Sequence, residues 1–421
     1  MIKYCKRCFY TSEHPLHLTF DDEGVCSGCR VHEEKDEIDW QKKAKKLKKI
    51  LDSYKNRSQT NYDCIIPVSG ARDSYFIVDL IKNKYGMNPL LVTYNKHYNT
   101  PLGIRNLANL RIQFDCDLIT STVNPELVKR LTRITLRDFG SMYWHCLAGQ
   151  TVFPVQVAVR FKIPLIIWGA HQGVDQVGMF SHHDEVEMTR KYRKEHDLMG
   201  YEAEDLIRFE DGIKEEDMIP FLYPSDRQLA TIGVRGIYLN NYIRWDSKQQ
   251  HESMIENFAY QTTSQTRTFD TYNDVDCFHY SDIHDYIKFA KHGYGKVVDH
   301  ATRELRLKRL SRSEGISLIE NNLFKQPQSI ELFCQWLGIT KEGFEYVINH
   351  HRNPKFWRES YMQPSIYTSD YLVQLARQES EAAALPVVEA CHFKVTEPQV
   401  PHKDDDHYIL IGKGYPQSYS Y

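Results

Sequence analysis

The apolar run Asp63-Cys64-Ile65-Ile66-Pro67-Val68 passes without a spacer into Ser69-Gly70-Ala71-Arg72-Asp73-Ser74, and from there into a helical pattern over Tyr75–Lys84. A strand, a small-residue loop and a helix start in direct succession turn backbone N–H groups and the positive end of a helix dipole toward one point. That arrangement holds an anion. Ser69 and Ser74 add hydroxyls, and Asp73 can cap the helix or hold a magnesium ion. The surrounding residues repeat the alternation. Strands are expected at Cys64–Val68, Leu90–Thr93, Asp117–Thr120 and Leu165–Trp168, with helices at Tyr75–Lys84, Leu102–Gln113, Glu126–Asp138 and Val152–Arg160. Such alternation builds βαβ units and a parallel sheet, so residues 61–235 are expected to form an α/β domain. Ligands of these sheets lie beyond the carboxyl ends of the strands. This adds Val68, Tyr94 at the end of the second strand, and Gly169, His171 and Asp175 after the fourth as candidates.

The N-terminal segment is built differently. Cys5-Lys6-Arg7-Cys8 and Cys26-Ser27-Gly28-Cys29 stand 17 residues apart, a spacing that lets four thiolates wrap one tetrahedral Zn2+. A site closed by four cysteines has no open position, so its role is structural: it stabilises a ribbon, residues 1–36, too short for a core of its own. In residues 37–60, Trp40, Ala44, Leu47, Leu51 and Tyr54 recur at helical spacing. The run Lys42–Lys49 then reads as the solvated face of a linker helix. Beyond residue 236 strand signals fade. Ser247–Phe258, Ser281–His292, Ala301–Leu310, Arg312–Asn321, Ser329–Leu337 and Lys341–His350 read as helices of a C-terminal region, 236–385. A loop-rich tail, 386–421, carries no function that can be read.

The balance of 53 basic against 56 acidic residues gives no nucleic-acid footprint. No apolar run is long enough to span a membrane, and no signal-peptide core precedes Cys5. A cytoplasmic location is therefore expected. The six remaining cysteines are scattered. Cys146 follows His145, but sequence neighbours rarely form a catalytic pair, and no glutaminase nucleophile is recognisable.

The loop Ser69–Ser74 resembles the SGGxDS pyrophosphate loop (PP-loop) of the ATP pyrophosphatase superfamily, whose members split ATP between its α- and β-phosphates. Asp73 and Ser74 then fall at catalytic positions, and Ser69, Gly70, Ala71 and Arg72 at nucleotide-binding ones. Ala71 replaces the motif's second glycine. A positive φ at that residue would cost about 1–2 kcal/mol. Over most of residues 1–375 the chain resembles the N-acetyl sugar amidotransferase family of surface-polysaccharide and flagellin-glycan biosynthesis. The resemblance is carried by Tyr4–Cys8, Thr19–Cys26, Leu102–Leu107, Ser281–Lys288, Lys291–Gly295 and Asp299–Ala301. Its most specific stretch is Gly178–Arg193.

The resemblance implies that ATP activates the carbonyl oxygen of a sugar's N-acetyl group and that ammonia displaces AMP, leaving an acetamidino group. The implied substrate is an N-acetylated acidic sugar, such as a nonulosonic acid, or a nucleotide-linked one. Ammonia is expected from a separate glutaminase, through a cyclase-like protein. Arg190 and Arg193, three apart, are expected to clamp the substrate's anionic group, and the turn holding Tyr294 and Lys296 to close over it. Two alternatives stay open: a tRNA thiolation enzyme, and a non-catalytic nucleotide-binding protein.

Overall fold

The computed structural model describes residues 2–56, 61–207, 213–277, 280–362, 367–378, 383–388, 393, 408–410 and 413–415. Five short strands form one parallel sheet: β1 (Cys64–Pro67), β2 (Pro89–Tyr94), β3 (Leu118–Ser121), β4 (Leu165–Trp168) and β5 (Arg235–Tyr238). Their spatial order is β3-β2-β1-β4-β5, with Ile65 opposite both Leu90 and Ile166. The strands read as nearly continuous apolar runs because helices cover both faces. Ile65, Leu90, Val92 and Ile166 pack with Val152 and Val155 on one side. Cys64, Ile66, Leu91, Leu165 and Ile167 pack with Leu47, Leu51 and Ile77 on the other. Side chains alternate between the faces as a pleat requires.

Four of the strands fall where expected. The fifth crosses the boundary drawn at residue 235, so the α/β domain extends past it. Its four residues contain an arginine and a glycine, which hide it from a search for apolar runs.

The helices around the sheet depart in detail. α1 (Ser27–Glu37) begins inside the ribbon, and α2 (Trp40–Tyr54) follows after a break at which Asp39 accepts the Lys42 N–H at 2.9 Å. The helix α1 at the end of the ribbon was not expected, and the linker segment holds one helix, α2, as expected. Leu47, Leu51 and Tyr54 are buried as its apolar stripe predicts. The lysine face is not only solvated, because Lys43 and Lys46 both reach Glu185. α3 (Arg72–Val78) starts three residues earlier than read and continues as a π-helical turn over Asp79–Lys84. α4 is Pro101–Gln113, α5 is Pro125–Phe139, and α6 (Trp144–Phe161) begins eight residues before its expected start. α6 is buried on most sides, which erases the periodicity that would mark its first two turns.

The C-terminal region is helical as expected. It includes α7 (Ser247–Phe258), α8 (Asp285–His292) and α9 (Lys296–Arg306). α9 lies five residues earlier at its start than expected, since Gly295 ends the preceding turn and Val297, Val298, Ala301 and Leu305 form its buried face. Those four residues share one core with Cys5, Cys8, Phe9, Tyr10 and Val25. The first residues of the chain are therefore packed on its C-terminal helices. Of the tail, the described part holds the paired strands Tyr408–Leu410 and Lys413–Tyr415. Among the described residues no helix is long and apolar enough to cross a membrane.

Candidate active site

The loop after β1 folds on its own side chains. The Ser69 N–H donates to Ser74 Oγ at 2.8 Å, and the Ala71 N–H donates to Ser69 Oγ at 3.3 Å. Ala71 has φ −107° and ψ 161°, extended backbone that any residue adopts, so the strain expected from losing the second glycine does not arise. Gly70 is constrained by packing instead. A Cβ there would lie 2.8 Å from the Gly103 carbonyl carbon of α4 and closer still to its oxygen.

Chain order reverses direction beside β1, where β2 lies on one side and β4 on the other. This is the topological switch point at which open parallel sheets leave a crevice. Two cavities open there, one on each side of the loop. The smaller, about 240 Å³, is lined by Ser69, Gly70, Tyr94, Ile104, Leu107 and Thr120 among others. The larger, about 630 Å³, has Asp73 on its wall together with Ala170, Gln172 and Trp245. The ribbon residues Tyr10 and His14 and a group of side chains from α8 and α9 complete it. One space therefore joins the PP-loop, the ribbon and the C-terminal helices.

The other expected site residues are distributed unevenly. Val68 is buried in the sheet core, its N–H bonded to Val92 O at 2.9 Å. Tyr94 is on the small cavity, with its hydroxyl 3.2 Å from His145 Nδ1. Gly169 ends β4 beside Ile77 and Trp245. His171 is only 2% exposed. Its ring lies 4.2 Å from Tyr192 and 4.6 Å from Tyr238, and neither nitrogen has a hydrogen-bond partner among the described residues. Burial lowers its pKa to about 4, so it is neutral. Its chain neighbours Ala170 and Gln172 line the large cavity. Asp175, also a cavity residue, is bound by Lys35.

The expected arginine clamp does not form. Arg193 is buried and pairs with Glu202 Oε2 at 2.5 Å, while its Nε donates to Thr151 Oγ1 at 2.8 Å. Arg190 bonds Glu202 and Glu204 at 3.2 and 3.0 Å, and both guanidinium groups lie over the Tyr223 ring. Both charges are already compensated within the fold, and Arg193, the buried one, depends on its partner. Nor is the 293–296 turn a closing flap. Tyr294 is buried and stacked on His14 at 5.0 Å. Lys296 opens α9, its backbone N–H on Asp285 and its Nζ 2.6 Å from Gln265 Oε1. Both belong to the fixed wall of the large cavity.

Two further wall residues, Asp197 and Lys291, were not among the expected site residues, although Lys291 opens a stretch that carries the family resemblance. Asp197 has no ion pair among the described residues, and burial pushes its carboxyl up to about 7. Lys291 donates to the Phe139 carbonyl at 2.5 Å, and burial lowers its pKa to about 8. Neither sits in a pattern that spacing could reveal.

The four ribbon cysteines are buried, with their sulfurs within 4.8 Å of one another. The N–H groups of Arg7, Cys8 and Cys26 point at Cys5 Sγ at 3.3–3.4 Å. This sulfur-only tetrad suits a tetrahedral thiophilic ion. Arg306 of α9 donates to Cys29 Sγ at 3.4 Å and Cys26 Sγ at 3.6 Å, and to the Gln176 carbonyl at 2.5 Å. It ties the cluster to both other parts of the chain. Gly28 leaves it room, since a Cβ there would lie 2.7 Å from Gln176 O and overlap the guanidinium. Cys146 is different. It is fully buried, its sulfur 3.4 Å from His145 Nε2, and burial pushes its thiol well above the usual range, which disfavours the thiolate a nucleophile needs.

Residues 252–368 match the family described as LPS biosynthesis protein WbpG-like, C-terminal domain. The chain carries a WbpG-like C-terminal domain. It supplies α8 and α9, one wall of the large cavity, and it agrees with the family to which the sequence resemblance points. An uncharacterized protein of Methanocaldococcus jannaschii is 28% identical over 115 residues, 27% of this chain and 41% of that relative. The match thus spans less than half of the relative's length. Among solved structures, the NH3-dependent NAD synthetase of Campylobacter jejuni aligns at 11% identity and a TM-score of 0.28, over 51% of this chain and 94% of that one. The NMN synthetase of Francisella tularensis aligns at 12% and 0.27, over 52% and 95%. The fold assignment stands on this chain's own strand order.

Proposed function

We propose that this WbpG-like chain is an ATP-dependent amidotransferase acting on the N-acetyl group of a surface-polysaccharide sugar. One observation carries the reading: Asp73 of the PP-loop and the WbpG-like helices face each other across a single cavity. The loop would hold ATP through Ser69, Gly70 and Ser74, with magnesium at Asp73. The small cavity, with apolar Ile104 and Leu107 on its wall, suits the adenine. The large cavity would take the sugar. The acetamido oxygen attacks the α-phosphate and pyrophosphate leaves. Ammonia then adds to the activated carbon, and the C–O bond breaks. The oxygen departs with AMP, and an acetamidino group and a released proton remain. Asp197, a cavity-wall residue whose carboxyl burial raises to about 7, would take that proton.

Ammonia would come from a glutaminase partner, since Cys146 is buried and protonated. The tetrad Cys5, Cys8, Cys26 and Cys29 would hold a structural zinc, leaving no open position for catalysis. Among the described residues it is the one cluster with metal-ligand geometry.

Pyrophosphate release from ATP, measured with N-acetylated acidic sugars and ammonium, tests the proposal. Asp73→Asn should abolish release while the thermal transition persists. Unchanged release in that variant would overturn it.

A further inference from the structure

The large cavity is crowded with charge, and most of it is accounted for. Lys35 is bound to Asp175 and Lys288 to Asp299. Arg303 bonds Asp270 and Glu304 at 3.0 and 2.7 Å, and Lys296 lies 3.9 Å from Asp274. Arg306 is spent on the cysteine sulfurs and Gln176. The wall histidines His284, His292 and His300 are each held to about 3, chiefly by burial, and so carry no charge near neutrality. Asp285 on the same wall is already engaged by Arg267 Nε at 2.7 Å.

Lys291 is the exception. Among the described residues it makes no ion pair, and its hydrogen-bond partner is the neutral Phe139 carbonyl at the end of α5. A half-buried ammonium that, among the described residues, pairs with none of the carboxylates on the cavity wall is a charge open to a partner from outside the fold.

We propose that Lys291 anchors the anionic group of the sugar, a carboxylate or a phosphate, in the cavity beside the PP-loop. The assignment rests on the reading of this cavity as the sugar site. It moves anion recognition from Arg190 and Arg193, which the fold has paired, to a residue of the WbpG-like domain. At neutral pH the ammonium form predominates, since the group titrates near 8.

The test is calorimetric binding of four probes to the full chain: N-acetylneuraminate, its methyl ester, N-acetylglucosamine 1-phosphate and N-acetylglucosamine. Wild type should bind at least one anionic probe about tenfold or more tightly than its neutral counterpart, as a charge-assisted contact requires. The acid–ester pair reports a carboxylate site, and the phosphate–free sugar pair a phosphate site. Lys291→Met should remove the discrimination and leave neutral-probe affinity intact, and Lys291→Arg should keep most of it. A second role for Lys291, holding the C-terminal end of α5, would lower the melting temperature of Lys291→Met and weaken all probes alike. Retained discrimination in Lys291→Met, or equal weakening of every probe, overturns the assignment. Pyrophosphate release that is indifferent to probe charge overturns the anchor but not the sugar site. Failure of every probe to bind or to support release overturns both.

Discussion

Exchanging the character of two neighbouring residues tests how the PP-loop is held. Gly70→Ala places a methyl 2.8 Å from the Gly103 carbonyl carbon and 2.9 Å from its Cα. Gly103 cannot retreat, because a Cβ on it would itself lie 2.7 Å from Asp276 Cβ, and its backbone is pinned there. The overlap is with backbone, so α4 or the loop must shift, at a cost of about 1–3 kcal/mol or more. Ala71→Gly restores the glycine that the superfamily motif carries. The native φ of −107° needs no glycine, so the change should gain nothing. It should cost about 0.5–1 kcal/mol through the added freedom of the unfolded chain. Urea unfolding gives both stabilities, and pyrophosphate release from ATP gives the functional effect. Gly70→Ala should lose stability and most activity, while Ala71→Gly should lose a little stability and keep its activity. A silent Gly70→Ala, or an Ala71→Gly that is more stable than the parent, would show that the loop is not held as described.

Arg306→Met removes donors from three cysteine sulfurs, those of Cys8, Cys26 and Cys29, and from the Gln176 carbonyl. It should cost about 3–5 kcal/mol and speed metal loss to a chelator, as metal analysis during unfolding would show; unchanged stability and retention would refute the tie. Asp197 binds its proton more tightly folded than unfolded, because burial raises it to about 7 from its ordinary value near 4. Its cost to stability therefore appears as pH rises through that window and is absent below it. Asp197→Asn should be more stable than the parent above about pH 7, equal to it near pH 4, and should lose a limb of the pH–rate profile near 7. A parallel pair of pH–stability curves would contradict this.

The sheet was legible because its inner strands β1, β2 and β4 are buried on both faces, which forces apolar runs such as Cys64–Val68. Strand β5 was not, since Gly236 and Arg235 dilute its four residues. The cysteine tetrad was legible from spacing alone, but Arg306, which completes its surroundings, lies 277 residues from Cys29, and no local pattern connects them. Arg190 and Arg193 show the opposite failure. Their three-residue spacing does place both over Tyr223, yet whether a shared face is vacant depends on Glu202 and Glu204, which reach it only in the fold. Lys291 became a candidate once every other cation on the cavity wall was seen to have a partner, an accounting that needs three dimensions.

The central claim is that an acetamido oxygen is activated by ATP and replaced by nitrogen. An N-acetylated acidic sugar carrying heavy oxygen in its acetyl carbonyl, incubated with the chain, ATP, magnesium and ammonium, tests that claim most directly. Mass spectrometry should find the heavy oxygen in AMP, released together with pyrophosphate, and a sugar in which oxygen has been replaced by NH. Glutamine should not substitute for ammonium with the purified chain alone. Heavy oxygen kept in the sugar, or found in inorganic phosphate beside ADP, would contradict the account.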